Sequence, residues 1–152
     1  MDLPDDLRFR SMTRGDLDRV MEIESGSRPG AWARKDFWSK LNDPRVRGTV
    51  MEVERDLCGF SIVAIDGLCC QLMNMAIAPT WRRQGLGSAF LAHLENFSRE
   101  KALTELRLAI RESNLEAQLF YKKSGFKAVD ILHGHFGGED AYAMRKSIQF
   151  ES

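Results

Sequence analysis

The stretch that decides the fold is Arg82-Arg83-Gln84-Gly85-Leu86-Gly87-Ser88, a basic segment with two glycines between two apolar segments. Residues 72–78 before it predict a buried strand, and residues 89–97 after it carry a helical period. Glycines let the backbone turn sharply and bring its N–H groups close to a ligand. A helix N-terminus adds roughly half a positive charge, which favours a phosphate. The order strand, basic glycine loop, helix therefore predicts a site for a phosphorylated cofactor.

The sequence does not fit two familiar phosphate-binding loops, but it is compatible with a plain turn. A Walker loop requires Gly-Lys followed by Ser or Thr, and this triplet does not occur in the chain. A dinucleotide fingerprint requires a third glycine where this chain has Phe90. A plain strand-to-helix turn would also use two glycines, so the loop alone leaves that alternative open.

Composition excludes several classes of partner. A length of 152 residues predicts one domain with a substantial core. The 22 basic and 22 acidic residues cancel, so no general field attracts nucleic acid or a membrane surface. Cys58, Cys69 and Cys70 have no metal-ligand spacing, and neither a signal peptide nor a long apolar run is present. These features predict a cytoplasmic protein with free thiols and without a metal site.

The remaining pattern predicts hairpins early in the chain and alternating strands and helices later. Asp66-Gly67 is a two-residue hairpin signal. We expect an α+β fold with one mixed, mostly antiparallel sheet of about six to seven strands and helices on both faces. The predicted strands cover residues 7–12, 49–54, 59–65, 68–78, 104–110, 126–132 and 141–148. One predicted helix covers residues 32–41, and the others follow Thr13, Gly85 and Asn114.

Five motifs occur in order along the chain: Ile23-Glu24 with Trp32; residues 74–78; residues 82–88; Glu112-Ser113-Asn114 with Phe120-Tyr121 and Ser124-Gly125-Phe126; and residues 138–144. Together they resemble the GNAT acetyltransferase superfamily, and within it the ribosomal-protein alanine N-acetyltransferases (RimI type) and related protein N-terminal acetyltransferases. The resemblance covers about residues 9–148. It implies a single acetyltransferase domain, residues 1–152, with the GNAT fold.

The resemblance implies acetyl-CoA as cofactor. Backbone groups of Met75, Ala76 and Ile77 would contact the pantetheine arm and the acetyl carbonyl. Asn114 lies where the family contacts the cofactor again, although this residue type equally suits a helix cap. The pyrophosphate would be held by the loop, with Arg82 at its rim and Arg83, Gln84, Gly85, Leu86, Gly87 and Ser88 around it.

Tyr121 matches the family's general acid. Acetyl transfer expels a thiolate, whose conjugate thiol has a pKa near 8.5, so a hydrogen bond from a phenol can protonate or stabilise it. Without the resemblance, Tyr121 would be interpreted as a packing residue on a helix face.

The chain departs from the family pattern at Ala109, where bacterial RimI-type enzymes carry a glutamate base. Deprotonating a lysine amine at pH 7 costs about 4–5 kcal/mol, whereas an α-amine costs only about 1 kcal/mol. The loss of the base therefore favours a protein N-terminus as acceptor. Candidate replacements are Glu24, His133 and His135.

The residues expected to bind the acceptor substrate match family positions, but most of them also have an ordinary structural interpretation. Glu24 matches a glutamate near the peptide's first residue, or is an ordinary exposed charge at a helix end. Trp32 and the loop before it are expected to line the substrate entrance, with a core tryptophan as the alternative. His133 and His135 lie in a late loop where relatives hold the peptide with tyrosines, although such histidines are usually solvated. Glu139 and Asp140 are interpreted first as structural.

The expected function is acetyl transfer from acetyl-CoA to the N-terminal α-amine of a protein or peptide. One alternative is a small-molecule amine acetyltransferase of the same fold. Another is a non-catalytic acetyl-CoA-binding module, which the alanine at position 109 would explain.

Overall fold

The computed structural model describes residues 3–25 and 31–150. Within them the strands form one sheet in the order β1-β2-β3-β4-β5-β7-β6. The elements are β1 (Arg8–Ser11), α1 (Leu17–Ser25), α2 (Arg34–Leu41), β2 (Val46–Val53), β3 (Asp56–Asp66), β4 (Cys69–Ile77), α3 (Leu86–Glu100), β5 (Glu105–Arg111), α4 (Leu115–Lys123), β6 (Lys127–Leu132) and β7 (Ala141–Ser147).

Strand pairing confirms the predicted mixed, mostly antiparallel sheet. The pairs β1–β2, β2–β3, β5–β7 and β6–β7 are antiparallel. Strands β4 and β5 run parallel, with Cys69 opposite Glu105. The helix predicted from Trp32 begins two residues later, at Arg34. Its start is set by Asp36, whose carboxylate accepts the Ala33 N–H at 2.8 Å.

The chain divides into two compact units. The first comprises Met1–Ala64 and Asn74–His93. Its core includes Val20, Phe37 and Phe60, which are fully buried. The Phe37 and Phe60 rings meet edge to face at 5.7 Å between centroids.

The second unit comprises Ile65–Met73 and Leu94–Ser152. Leu106 and Met144 are 1% exposed, and Phe126 is 3% exposed. The cores of both units therefore come from inward-facing strand residues and from one face of the helices packed on them.

Gly59 on β3 allows the close approach of β4. A Cβ at this position would lie 2.8 Å from Ile77 Cδ1 and 3.0 Å from the Ala76 carbonyl oxygen. Both distances are shorter than ordinary carbon contacts. Only glycine therefore fits opposite the end of β4 without a shift.

Replacing Gly59 with alanine is expected to lower the free energy of unfolding by about 1–3 kcal/mol, because the added methyl overpacks this contact. Urea denaturation measures the change. Gly138→Ala is the matched control, since a Cβ there meets nothing within 4 Å. It should change the free energy of unfolding by less than about 0.5 kcal/mol. Equal denaturation midpoints for the two variants would contradict the close approach.

Candidate active site

The end of β4 is held by backbone and side-chain hydrogen bonds. The Ala78 N–H donates to the Cys58 carbonyl at 2.8 Å. Pro79 ends the strand and begins a single turn of 3-10 helix that reaches Trp81. Arg82 Nε then donates to the Ile77 carbonyl at 3.1 Å. Arg82 is thus tied to the end of the strand, while its guanidinium remains exposed.

The loop between β4 and α3 has the geometry of an anion site. Arg83 and Gly85 adopt left-handed backbone angles, with φ of 63° and 78°. The Ala89 N–H makes the first helical bond of α3, to the Gly85 carbonyl at 3.1 Å. The N–H groups of the preceding turn, residues 86–88, have no partner within an α-helix of this register. Three backbone N–H groups and the positive end of the helix dipole therefore lie together at the start of α3.

The residues of the loop between β4 and α3 differ in how far they are exposed to solvent. Leu86 is 1% exposed and packs in the core, so only its backbone can serve a ligand. Gln84 and Gly87 are half-buried, and Gln84 donates to the Thr80 carbonyl at 3.4 Å. Arg83 and Ser88 are exposed. Just upstream, Ala76 is buried between the half-buried residues Met75 and Ile77.

Glu24 lies against β4 in a buried pair with Asn74. Asn74 Nδ2 donates to the Glu24 carboxylate. The exposure of Glu24 is 0% and that of Asn74 is 7%. The alternative of an exposed charge at a helix end is therefore wrong, because the Glu24 carboxylate is buried against Asn74.

Trp32 is half-buried and packs on Phe37, with 5.1 Å between ring centroids. This contact agrees with the alternative that Trp32 is a core residue, although the side chain is only half-buried. The loop before it, residues 26–30, lies outside the described residues.

In the second unit, Tyr121 is 7% exposed and its ring meets Phe120 and Phe126 edge to face, at 5.0 and 5.4 Å. Burial raises the pKa of the Tyr121 hydroxyl well above its ordinary value. The phenol therefore stays protonated and remains a hydrogen-bond donor at neutral pH. Asn114 caps the helix that carries it, since its side chain accepts the Ala117 N–H at 3.1 Å.

Ala109 is half-buried in the middle of β5, opposite Ala143. No carboxylate stands at this position of the strand. Further along, Glu139 accepts the Ser113 N–H at 2.8 Å and the Arg111 guanidinium at 3.2 Å. Hydrogen bonds from Ser113 and the Arg111 charge lower the pKa of the Glu139 carboxyl.

Asp140 holds the late loop in the same way. It accepts the Gly134 N–H at 2.8 Å and faces His133 Nδ1 at 3.2 Å. The Gly134 bond, followed by His133, lowers the pKa of Asp140. Glu139 and Asp140 are therefore structural, as expected. His135 is exposed and its ring contacts Phe136, at 4.7 Å between centroids.

Comparison with known proteins identifies the family. The model of the acetyltransferase (GNAT) family matches residues 17–126. The chain belongs to the GNAT acetyltransferase family. This matched region begins at α1 and runs through Tyr121 to Phe126.

Relatives of this GNAT acetyltransferase are similar over almost their whole length. A Bacillus subtilis (strain 168) protein, provisionally named a ribosomal protein bS18-alanine N-acetyltransferase, is 33% identical over 142 residues, covering 91% of this chain and 94% of that protein. The Escherichia coli (strain K12) ribosomal protein bS18-alanine N-acetyltransferase is 29% identical, covering 91% and 95%. The crystal structure of the E. coli ribosomal-protein-S18-alanine N-acetyltransferase superposes with a TM-score of 0.85 at 27% identity, covering 96% of each chain.

Sequence reasoning did not assign a role to Asn74 in this GNAT chain. The signal was a polar residue at an inward position of an apolar strand, between Leu72 and Ala76. A buried polar side chain requires a hydrogen-bonding partner, and the partner here lies 50 residues away in sequence.

Residues 3–25 and 31–150, the part of the chain that the structure describes, hold neither a membrane-spanning helix nor a cluster of metal-binding side chains. No helix there has the length and apolar character needed to cross a bilayer. No group of three or more His, Cys, Asp or Glu side chains in those ranges is placed to hold a metal ion.

Proposed function

We propose that this GNAT acetyltransferase transfers the acetyl group of acetyl-CoA to the N-terminal α-amine of a protein or peptide. The observation that carries the proposal is the similarity over 91% of the chain to proteins named for alanine N-acetylation of a ribosomal protein. We further propose that residues 1–152 act as one acetyltransferase domain. The three free cysteines support a reducing compartment, which we take to be the cytoplasm.

The loop geometry supports a diphosphate as the anion. Residues 86–88 would direct their N–H groups at the pyrophosphate, and the charges of Arg82 and Arg83 would lie at the rim. Gly85 and Gly87 leave room for the phosphates to approach the backbone. Met75, Ala76 and Ile77 would hold the pantetheine arm and the acetyl carbonyl through their backbone. Gln84 and Asn114 complete the proposed contacts.

Acetyl-CoA supplies an activated acetyl thioester. The amine nitrogen attacks the acetyl carbonyl carbon, the C–S bond breaks, and the nitrogen loses its proton to solvent water. A backbone N–H near Ile77 would stabilise the oxyanion that forms. The Tyr121 hydroxyl, which stays protonated at neutral pH, would donate a hydrogen bond to the departing sulfur, give it a proton and regain that proton from solvent.

The acceptor would be an α-amine rather than a lysine. Because Ala109 supplies no base, the chain depends on an acceptor that loses its proton near neutral pH. Glu24, Trp32 and His135 are proposed to serve the acceptor side. Glu24 is supported by its place beside β4, and His135 by its exposure on the late loop.

The test is acetyl transfer from acetyl-CoA to a library of short peptides that differ in their first two residues. A parallel panel contains free amino acids and polyamines. We expect turnover with peptides that begin with small residues such as Ala or Ser. Turnover confined to the small amines would instead identify a small-molecule acetyltransferase. Tight acetyl-CoA binding without turnover on either panel would favour the non-catalytic module suggested by Ala109.

A further inference from the structure

The buried pair of Asn74 and Glu24 is a polar contact in an otherwise apolar setting. Its neighbours on the same face of β4, Leu72 and Ala76, are apolar and buried. Burying an amide and a carboxylate is costly unless they are hydrogen-bonded to each other. The bond between them offsets that cost but leaves part of the amide unused.

The bond fixes which way the Asn74 amide points. Because Nδ2 is the atom that donates to the Glu24 carboxylate, the NH2 group of the amide faces Glu24 and Oδ1 faces away from it. Among residues 3–25 and 31–150, no other hydrogen bond is made by the Asn74 side chain. Oδ1 is therefore an oriented acceptor without a donor from the described protein.

The position of this acceptor relates it to the proposed acetyl site. Asn74 directly precedes Met75, the first of the three strand residues proposed to hold the pantetheine arm and acetyl group. Ala76 lies two residues further on the same face, at a rise of about 7 Å along the strand. A small donor bound at Oδ1 would thus lie on the face of β4 that leads to the strand residues proposed to hold the acetyl group.

We propose that Asn74 Oδ1 accepts a hydrogen bond from the acceptor α-amine, and that Glu24 is a positioning residue that holds the amide in this orientation. The inference rests on the proposed function. Glu24 has 0% exposure, so it acts through Asn74 rather than by touching the amine. An amine presents N–H donors beside the lone pair that attacks the acetyl carbon, and one of these N–H groups suits an oriented amide oxygen.

The main test is Asn74→Leu, which keeps the approximate shape of the side chain and removes the acceptor. We expect the KM for the peptide to rise about tenfold to a hundredfold, the range for a hydrogen bond to a charged group. The change in kcat should be smaller, and the Kd for acetyl-CoA, measured by calorimetry, should stay within about twofold of wild type. Gln71→Leu is the matched control, because it also replaces a side-chain amide on β4 with leucine. It should change neither the KM for the peptide nor the Kd for acetyl-CoA.

Glu24→Gln tests the positioning role. A glutamine can donate as well as accept, so the Asn74 amide is no longer held one way round. We expect a rise in KM of about threefold to tenfold. The double variant should match Asn74→Leu alone, because orienting the amide is useless once the acceptor is gone. A purely structural role would instead lower the thermal midpoint and give additive effects.

The outcomes separate the inference from the function on which it rests. A wild-type protein that acetylates no peptide overturns both. Wild-type turnover with an unchanged KM in folded Asn74→Leu overturns the inference alone, as do additive effects in the double variant. If Asn74→Leu does not fold, Glu24→Gln decides: a raised KM supports the inference, and an unchanged KM overturns it.

Discussion

Replacing Gly87 with glutamate is expected to weaken acetyl-CoA binding by at least about a hundredfold. The new carboxylate would lie in the first turn of α3, where residues 86–88 present free N–H groups. At the proposed pyrophosphate site, a negative charge about 4 Å from a phosphate would cost on the order of 1–4 kcal/mol, and the new side chain would compete with the phosphate for the same N–H groups. Calorimetric titration with acetyl-CoA measures the loss.

The thermal stability of Gly87→Glu should not fall together with its affinity for acetyl-CoA. A glutamate in the first helical turn interacts favourably with the helix dipole, and it replaces a poor helix former. We therefore expect the thermal midpoint to stay level or to rise while binding is lost. Gly15→Glu adds the same charge at a site where a Cβ meets only Thr13 Oγ1, at 3.8 Å, and should leave the Kd within about twofold. Equal affinity in the two variants would mean that the loop does not hold the pyrophosphate.

Replacing Tyr121 with phenylalanine is expected to lower the rate of acetyl transfer by about a hundredfold to ten-thousandfold, the range for loss of a general acid. The ring still packs against Phe120 and Phe126, so folding and the Kd for acetyl-CoA should not change. Single-turnover kinetics with a saturating peptide measure the chemical step. Because burial raises the pKa of Tyr121, the donor form persists as the pH rises through the neutral range, and wild-type activity should not be lost there through this group.

The control for this variant is the other tyrosine of the chain. Tyr142 on β7 lines a cavity of about 210 Å³ with Gln118 and Met144. Tyr142→Phe removes the same hydroxyl and should change the single-turnover rate by less than about twofold. An unchanged rate in Tyr121→Phe, with chemistry rate-limiting, would rule out its role as the acid.

The loop at residues 82–88 could be predicted because its structure is encoded locally. Gly85 supplies the left-handed turn, and Leu86 begins the apolar stripe of α3. The hairpins are equally local, since Asp66-Gly67 and the turn before Asp56 connect strands adjacent in sequence. Local chemistry of this kind explains why the element order and the mixed sheet agree with the prediction.

The burial of Glu24 could not be predicted in the same way. A glutamate near the end of a helix usually faces solvent, and the sequence gives no sign that Asn74, 50 residues away, meets it. The close contact of Gly59 with Ile77 is likewise non-local. Both features depend on how elements distant in sequence pack together. The loop at residues 82–88 was therefore easier to predict than the residues proposed to bind the acceptor amine.

The most direct test of the central claim uses one peptide that contains both kinds of amine, with alanine at a free N-terminus and a lysine near its middle. The protein is incubated with this peptide and acetyl-CoA at neutral pH, and tandem mass spectrometry locates the acetyl group. We expect the α-amine to be acetylated and the lysine to remain unmodified, because Ala109 supplies no base at this position of β5 for the more basic amine. Acetylation of the lysine, or of neither amine, would contradict the account.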